Sequence, residues 1–313
     1  MKLTVIGGGG VRSMFLAKSI AQKAAELHIT ELVFMDNDGE KLRIYGGLAA
    51  HVSRMLNPEL KFRLTTDAVD AVKDADYIIT TIRVGGDHMR VREERIALAN
   101  GVLGQETTGA AGLSFAMRSV PALAEYCELI RQYAKPTVKV FNFTNPAGVV
   151  SQTLRDMGYD FTYGICDAPS GFIKQLEEIL NVPYGALDIE CYGLNHLSWF
   201  RNAKLDGRDV QEELLNNPRT YQHSEMRLFT REMARLSGEC MLNEYLYFYY
   251  RREKSLSMVQ KAEHPRGEMI YLINRELETQ LAQMELPRDF EKAFNLYMNA
   301  YGKRENAYFS VES

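Results

Sequence analysis

The chain of 313 residues is 46% hydrophobic and 25% charged, as in a soluble globular protein with one large or two medium domains. Its formal net charge of −4 offers no basic surface, so we expect no nucleic-acid or anionic-membrane partner. No apolar run is long enough to span a bilayer, and a strand begins at once, which leaves no room for a signal peptide. The four cysteines are widely spaced without a Cys-x-x-Cys pair, which favours reduced thiols and a cytoplasmic protein.

The first segments predict a dinucleotide-binding unit. Leu3–Ile6 has the composition of a short strand, four glycines follow, and an apolar helical pattern begins at Val11. In such a unit the glycines let backbone N–H groups approach a pyrophosphate at the helix N-terminus. Gly7 and Gly9 match the usual glycine pattern, whereas Arg12 stands where a third glycine is expected.

A second buried strand, Glu31–Asp36, ends in an acidic residue. Asp36 lies where a carboxylate binds the ribose hydroxyls of a dinucleotide, and its charge would favour NAD over NADP. The alternative is that Asp36 only starts the turn that ends at Gly39.

Further alternation of strands and helices predicts an α/β fold with a Rossmann-type, doubly wound parallel sheet. Ligands bind outside the carboxyl ends of such strands, so the polar loops that follow them are candidate sites. The loop at 101–109 is polar between glycines, and we expect it to lie at a ligand. The predicted later strands and their loops are 62–64, 75–82 followed by Arg83–Gly86, and 139–143 followed by Thr144–Gly148.

The second half of the chain holds a candidate metal pair. Cys166 follows an apolar run, and His196 lies in a Gly- and Asn-rich turn. Thiolate and imidazole suit borderline-soft divalent metals, although a lone cysteine is usually a small buried hydrophobe and a lone histidine a satisfied core or surface group. From about Leu197 the alternation loosens, residues 207–300 look mostly helical, and the aromatic stretch Tyr245–Tyr250 is typical of a buried helix face.

Six segments stand in order along the chain: the Gly7–Gly9 turn, Arg83–Gly86, Gly104–Gly109 (GQETTG), Asn142–Pro146 (NFTNP), Cys166 with Pro169, and Tyr192–Ser198 (YGLNHLS). Together they resemble glycoside hydrolase family 4, the NAD- and metal-dependent glycosidases that include 6-phospho-glucosidases and α-galactosidases. The resemblance implies a lactate/malate dehydrogenase-like fold, with an NAD-binding Rossmann domain at 1–165 and a mixed, largely helical metal- and substrate-binding domain at 166–313.

The resemblance also implies residue roles. The implied ligands of Mn²⁺ are Cys166 and His196, and the residues implied to bind NAD are Gly7, Gly9, Asp36 and Arg83. The phosphorylated sugar would be bound by Asn145, Asn195, Arg90 and Arg266, with Arg90 on its 6-phosphate. The implied base is Tyr245, and the implied proton donor to the leaving group is Asp167.

The implied reaction is hydrolysis of a phosphorylated glucoside by NAD-dependent oxidation at C3, deprotonation at C2 by Tyr245 and elimination at C1. Water then adds at C1 and the hydride returns to C3. The Cys166-Asp-Ala-Pro169 pattern resembles 6-phospho-α-glucosidases, while much of the family acts on 6-phospho-β-glucosides, so the anomer stays open. The alternatives are a lactate- or malate-type dehydrogenase of 2-hydroxy acids and an inactive NAD-binding homologue.

The segment from Lys303 to Glu312 resembles a family motif that leads into further strands and helices. The resemblance therefore implies a C-terminus that is short relative to the family, either naturally or by truncation. We expect reduced stability, or compensation by packing in a homo-oligomer, a dimer or tetramer.

Overall fold

The first half of the molecule forms a six-stranded parallel sheet. In this computed structural model, which describes residues 1–286 and 288–309 with side chains through Arg304, the strand order is β3-β2-β1-β4-β5-β6. This order is that of a dinucleotide-binding doubly wound fold, and the predicted fold class is confirmed. The strands are β1 (Lys2–Ile6), β2 (Glu31–Met35), β3 (Lys61–Thr65), β4 (Tyr77–Thr80), β5 (Lys139–Asn142) and β6 (Thr162–Gly164).

Helices cover both faces of this sheet, which explains why its central strands are almost wholly apolar. Val5 and Phe34 pack on one face with Ala17 and Ile20. Ile6, on the other face, packs with the residues of the second layer of helices. The helices are α1 (Ser13–Lys23), α2 (Gly39–Lys41), α3 (Gly47–Leu56), α4 (Ala68–Val72), α5 (Gly86–Ala99), α6 (Gly109–Tyr133), α7 (Ala147–Asp156) and α8 (Ala168–Leu180), with a π-helical turn at Leu42–Gly46 between α2 and α3.

The second half is built on a small antiparallel sheet and short helices. The sheet pairs β10-β8-β7, and β9 pairs with β8. Phe172 of α8 packs edge-on against Phe200 in the core below this sheet, with ring centroids 4.9 Å apart. The strands are β7 (Leu187–Leu194), β8 (Leu197–Leu205), β9 (Arg208–Asp209) and β10 (Met241–Leu242), and the helices are α9 (Gln211–Asn216), α10 (Thr220–His223), α11 (Arg231–Leu236), α12 (Tyr247–Tyr250), α13 (Arg252–Lys261), α14 (Arg266–Leu281) and α15 (Phe290–Phe309).

Strand β8 differs from the expectation that alternation loosens from about Leu197. It runs for nine residues and pairs with β7 through a two-residue turn. The strand is hard to recognise because Ser198 and Phe200 are buried on one side while Leu197 and Trp199 are half-buried on the other. The contrast between its two faces is therefore weak.

The last two helices return to the first half of the chain. Helices α14 and α15 pack on each other, and Leu277 and Tyr297 join Met14 and Tyr45 in one cluster. The hydroxyl of Tyr297 donates to the carbonyl of Val11, at the start of the cofactor-type helix. The domain division at 165/166 stays a prediction, and the last residues of the C-terminal motif, 310–312, lie outside the described residues.

Within the described residues, no helix has the length and apolarity needed to cross a membrane.

Candidate active site

Cys166 and His196 meet at the carboxyl end of the parallel sheet. Cys166 follows β6, and His196 occupies the turn between β7 and β8. The Sγ atom of Cys166 lies 3.5 Å from Nε2 of His196. His196 is buried and has φ of 60°, in the left-handed region that tight turns use. The two predicted ligands are therefore neighbours.

The donor chemistry of this pair fits a divalent ion. A soft sulfur and an imidazole nitrogen at this separation can face one ion, with further ligands from water or substrate. Burial lowers the pKa of His196 to about 4, so its ring is neutral at pH 7, as a ligand must be. Burial raises the pKa of the Cys166 thiol, while hydrogen bonds from Ala168 and Asn195 act in the opposite direction. The described residues contain no cluster of three or more His, Cys, Asp or Glu side chains that could hold a metal.

The ring of Tyr245 stacks on that of His196. Their centroids are 3.9 Å apart and the planes are tilted by 6°. Tyr245 lies in a 3-10 turn, Glu244–Leu246, and its own N–H donates to the side-chain oxygen of Asn243, which caps the turn. The tyrosine assigned as base on the resemblance thus lies directly beside the metal pair. Burial raises the pKa of the neighbouring Glu244, against the influence of Arg266 and Arg227.

The two asparagines predicted at the sugar lie on adjoining loops. Asn195 precedes His196 in the β7–β8 turn, and Asn145 follows β5. A Cβ atom built on Gly148, at the start of α7 and three residues after Asn145, would lie 3.5 Å from the Cβ atom of Asn195. The two motifs are therefore close together at the same end of the sheet.

A buried network of arginines and carboxylates adjoins the pair. Glu106 lies 2.6 Å from Arg83 and 3.3 Å from Arg90, and Arg90 also bonds Glu94 at 2.9 Å. Burial by itself would raise the pKa of Glu106, but Arg83, Arg90 and Arg266 hold it far below its usual range. Arg83 and Arg90, predicted for cofactor and phosphate respectively, therefore belong to one cluster.

Sequence reasoning missed Glu106 and Thr107 as individual site residues. Both lie in the polar loop that was expected to reach a ligand. Thr107 Oγ1 lies 2.8 Å from Nδ1 of His196. Glu106 and Arg90 come from separate elements, so their pairing carries no local sequence signal.

Asp167 lies at the surface, with a side chain that is 65% exposed, and pairs with Arg12 at 3.0 Å. Arg12 is the residue that departs from the glycine pattern of the cofactor turn. The departure thus places a cation beside the predicted proton donor.

The cofactor turn has the geometry that its glycines suggest. Gly7 has φ of 100°, and a Cβ there would lie 2.5 Å from the carbonyl oxygen of Thr81. The N–H of Gly9 donates to Asp36 Oδ2 at 2.9 Å, and the N–H of Asp38 donates to Oδ1 at 3.0 Å. Asp36 therefore both starts its turn and faces the glycine loop, where a ribose would lie.

These features define a dehydrogenase-type nucleotide fold joined to a site that brings together a thiol, an imidazole and a phenol. A malate dehydrogenase from Salinibacter ruber shares the fold, with a TM-score of 0.51 at 14% identity over 84% of this chain and 77% of that one. Two family models match the chain, Family 4 glycosyl hydrolase over residues 2–182 and its C-terminal domain over 191–311. The chain belongs to family 4 of the glycosyl hydrolases.

Two curated relatives carry phosphoglucosidase names. The 6-phospho-beta-glucosidase BglT of Thermotoga maritima is 29% identical over 297 residues, 93% of this chain and 69% of that protein. The maltose-6'-phosphate glucosidase MalH of Clostridium acetobutylicum is 31% identical over 222 residues, 70% of this chain and 50% of that protein. The chain thus spans between half and about two thirds of the length of these relatives.

Two solved structures are similar over nearly the whole chain. The Thermotoga maritima 6-phospho-beta glucosidase, solved with manganese, NAD+ and glucose-6-phosphate, has a TM-score of 0.81 at 29% identity, over 95% of this chain and 72% of that one. A 6-phospho-alpha-glucosidase from gut microorganisms, solved with NAD and glucose-6-phosphate, has a TM-score of 0.84 at 25% identity, over 95% and 70%.

Proposed function

We propose that this chain is a glycosidase that hydrolyses 6-phospho-glucosides with NAD and Mn²⁺. The observation that carries the proposal is the thiol and imidazole pair of Cys166 and His196, 3.5 Å apart and covered by the ring of Tyr245. A relative solved with manganese, NAD+ and glucose-6-phosphate supports it. A 2-hydroxy-acid dehydrogenase has only the shared fold in its favour.

The protein groups that would hold the cofactor and the ion lie at one end of the sheet. Gly7, Gly9 and Asp36 would hold the nucleotide, and Cys166 and His196 the ion. When bound, NAD supplies reversible hydride acceptance at the sugar C3, and the ion supplies Lewis acidity toward the adjacent hydroxyl oxygens. Proton transfer and substrate binding are carried out by side chains of the protein.

Tyr245 is the group that we assign to the proton at C2. Its ring is held against His196, so its hydroxyl has a fixed position relative to the metal pair. Arg266 is close enough to lower the pKa of His196, after the larger effect of burial. The positive charge of Arg266 supplies the electrostatic setting that a phenol needs to serve as a base near neutral pH.

Substrate recognition is assigned to the arginine network and the two asparagines. Arg90 and Arg266 would bind the 6-phosphate, because guanidinium groups match phosphate oxygens in charge and geometry. Asn145 and Asn195 would contact the sugar hydroxyls. Asp167, exposed beside Arg12, would protonate the leaving group.

Nitrophenyl 6-phospho-α- and β-glucosides test the proposal and separate the anomers. We expect hydrolysis that needs NAD+ and Mn²⁺, and exchange of a C2 deuterium with solvent during turnover. The variant Tyr245→Phe should lose exchange and hydrolysis together, whereas Tyr249→Phe, a matched change at an exposed ring, should keep both. Hydrolysis with the C2 label fully retained, or without NAD+, would refute the mechanism. Accumulation of NADH with a 2-hydroxy acid would favour the dehydrogenase.

We also propose that the protein is a cytoplasmic homo-oligomer, a dimer or tetramer. Sedimentation velocity tests the assembly, and a stable monomer at micromolar concentration would contradict it. The domain division at 165/166 is part of the same proposal.

A further inference from the structure

Three side chains form a hydrogen-bonded row that leads to the candidate metal pair. Nδ1 of His196 lies 2.8 Å from Oγ1 of Thr107, and this hydroxyl lies 2.9 Å from Oε1 of Gln105. The backbone N–H of Thr107 also donates to Oε1 of Gln105, at 3.2 Å. Gln105 and His196 are buried, 9% and 6% exposed, and Thr107 between them is partly buried.

The direction of each hydrogen bond follows from what each group can do. A backbone N–H only donates, so the atom of Gln105 that receives it is the carbonyl oxygen and the orientation of the amide is fixed. That oxygen only accepts, so the Thr107 hydroxyl must donate its single proton to it. The hydroxyl then has only lone pairs to offer to His196, and Nδ1 of His196 must carry the proton.

We propose that Gln105 and Thr107 are positioning residues that hold His196 in the Nδ1–H tautomer. In this tautomer the lone pair of the ring lies on Nε2, the nitrogen that faces Cys166 Sγ at 3.5 Å. The opposite tautomer would point an N–H at the ion. The consequence for metal binding rests on the proposed function, but the tautomer assignment does not.

Apart from this hydrogen-bonded row, the neighbours of His196 do not select which ring nitrogen carries the proton. Tyr245 covers one face of the ring by stacking, which restrains its tilt but does not select a nitrogen. On the Nε2 side, the contact with the Cys166 sulfur is compatible with an S–H donor to a bare nitrogen. Both contacts are therefore consistent with a proton on Nδ1.

Nitrogen-15 NMR of the metal-free protein tests the assignment directly. Long-range proton–nitrogen spectra of histidine-labelled protein show which ring nitrogen is protonated, and His196→Asn identifies the signal among the six histidines. We expect Nδ1–H in the native chain and in Thr107→Ser, which keeps the hydroxyl. Gln105→Met, of similar size but without the acceptor, should free the Thr107 proton for Nδ1 and populate the Nε2–H form. Thr107→Val removes the hydroxyl that accepts from Nδ1, so the ring of His196 should no longer be held in the Nδ1–H tautomer.

Mn²⁺ titration of the same proteins, with free Mn²⁺ counted by EPR, tests the consequence. Loss of an outer-shell partner typically weakens metal affinity about 10- to 100-fold, which we expect for Gln105→Met and Thr107→Val. Thr108→Val is the matched control, because the Thr108 side chain makes no capping hydrogen bond. It should leave the tautomer and the affinity unchanged.

The outcomes separate this inference from the proposed function. A native protein with Nε2–H, or a Thr107→Val protein with native tautomer and affinity, would overturn the inference. If Thr107→Val fails to fold, the native spectrum and Gln105→Met still decide. Nδ1–H in a protein that does not bind Mn²⁺ would uphold the positioning role while refuting the proposed metal site.

Discussion

An alanine at position 112 should displace the backbone that carries Thr107. Gly112 lies inside α6, and a Cβ added there would be 2.8 Å from the carbonyl carbon of Thr107 and 3.1 Å from its oxygen. Real Cβ atoms do not approach backbone carbon so closely, and the obstacle is main chain rather than the end of a flexible side chain. The loop must therefore move by several tenths of an ångström, which disturbs the contact of Thr107 with His196.

Two opposing effects determine how Gly112→Ala changes the free energy of unfolding. Alanine is favoured over glycine in a helix by about 0.8–1.0 kcal/mol. Overpacking a closely packed site typically costs about 1–3 kcal/mol. Gly302→Ala in α15 is the matched control. A Cβ there meets nothing within 4 Å, so only the preference of a helix for alanine over glycine changes its stability. The difference between the two variants isolates the packing cost, about 1–3 kcal/mol.

Urea unfolding of the two variants, followed by circular dichroism, measures this difference. We expect Gly302→Ala to be more stable than the native protein and Gly112→Ala to fall below the control, with weaker binding of Mn²⁺. Equal stabilisation by both alanines would refute the close approach. Native Mn²⁺ affinity in a destabilised Gly112→Ala protein would show that the 105–107 loop does not position His196.

Three further changes probe charges at the site. Glu106→Gln should destabilise the protein at pH 7 by about 3–5 kcal/mol in urea unfolding, because it leaves Arg83 and Arg90 without their shared carboxylate; an unchanged midpoint would contradict the buried network. Asp36→Asn should weaken NAD binding and narrow its advantage over NADP in fluorescence titrations, and an unaltered ratio would argue against the ribose role. Burial lowers the pKa of His196 from 6.5 to about 4, so the unfolded chain binds its proton first and native stability falls as the pH drops from 6.5 to 4. In metal-free protein this loss is roughly 3 kcal/mol, at about 1.4 kcal/mol per pH unit, and His196→Asn should lack it.

The loss of stability caused by protonation of Glu106 begins at a lower pH than the loss caused by protonation of His196. Burial by itself would raise the pKa of Glu106, but Arg83 and Arg90 depress this pKa, so the stabilising contribution of Glu106 is complete above its ordinary value of 4.5 and is lost at lower pH. Because other carboxyl groups titrate in the same range, the variants make the assignment: the loss that is absent from His196→Asn reports His196, and the loss below pH 4.5 that is absent from Glu106→Gln reports Glu106.

The Rossmann part of the fold was predictable because its signals are local. A strand, a glycine turn and a helix follow one another within about twenty residues, and burial on both sheet faces gives apolar strands such as Glu31–Met35. Strand β8 was not predicted, because both its faces are partly buried, and the second strand that pairs with it, β10, has only two residues, some forty positions later. Pairing of distant short strands depends on tertiary packing rather than on local pattern.

The site was predictable as a set of motifs but not as a geometry. Cys166 and His196 are thirty residues apart, and their separation of 3.5 Å depends on how the β7–β8 turn folds against the sheet. The motif that contains Thr107 indicated a ligand loop without indicating a bond to His196. Arg12 was recognised only as a departure from the glycine pattern, because its partner Asp167 lies 155 residues later.

The carboxylate of Glu94 links the two arginines proposed to bind the phosphate, Arg90 in the first half of the chain and Arg266 in the second. Glu94 of α5, 4% exposed, accepts from Arg90 at 2.9 Å and from the backbone N–H of Gly267 at 2.8 Å. Gly267 follows Arg266 at the start of α14, so Glu94 fixes the position of that helix start relative to Arg90. A side chain larger than hydrogen at 267 would meet the Glu94 carboxylate at 2.5 Å, which accounts for the glycine. Because α14 also packs into the cluster around Tyr45, assembly of the arginine pair requires the second half of the chain to dock on the first.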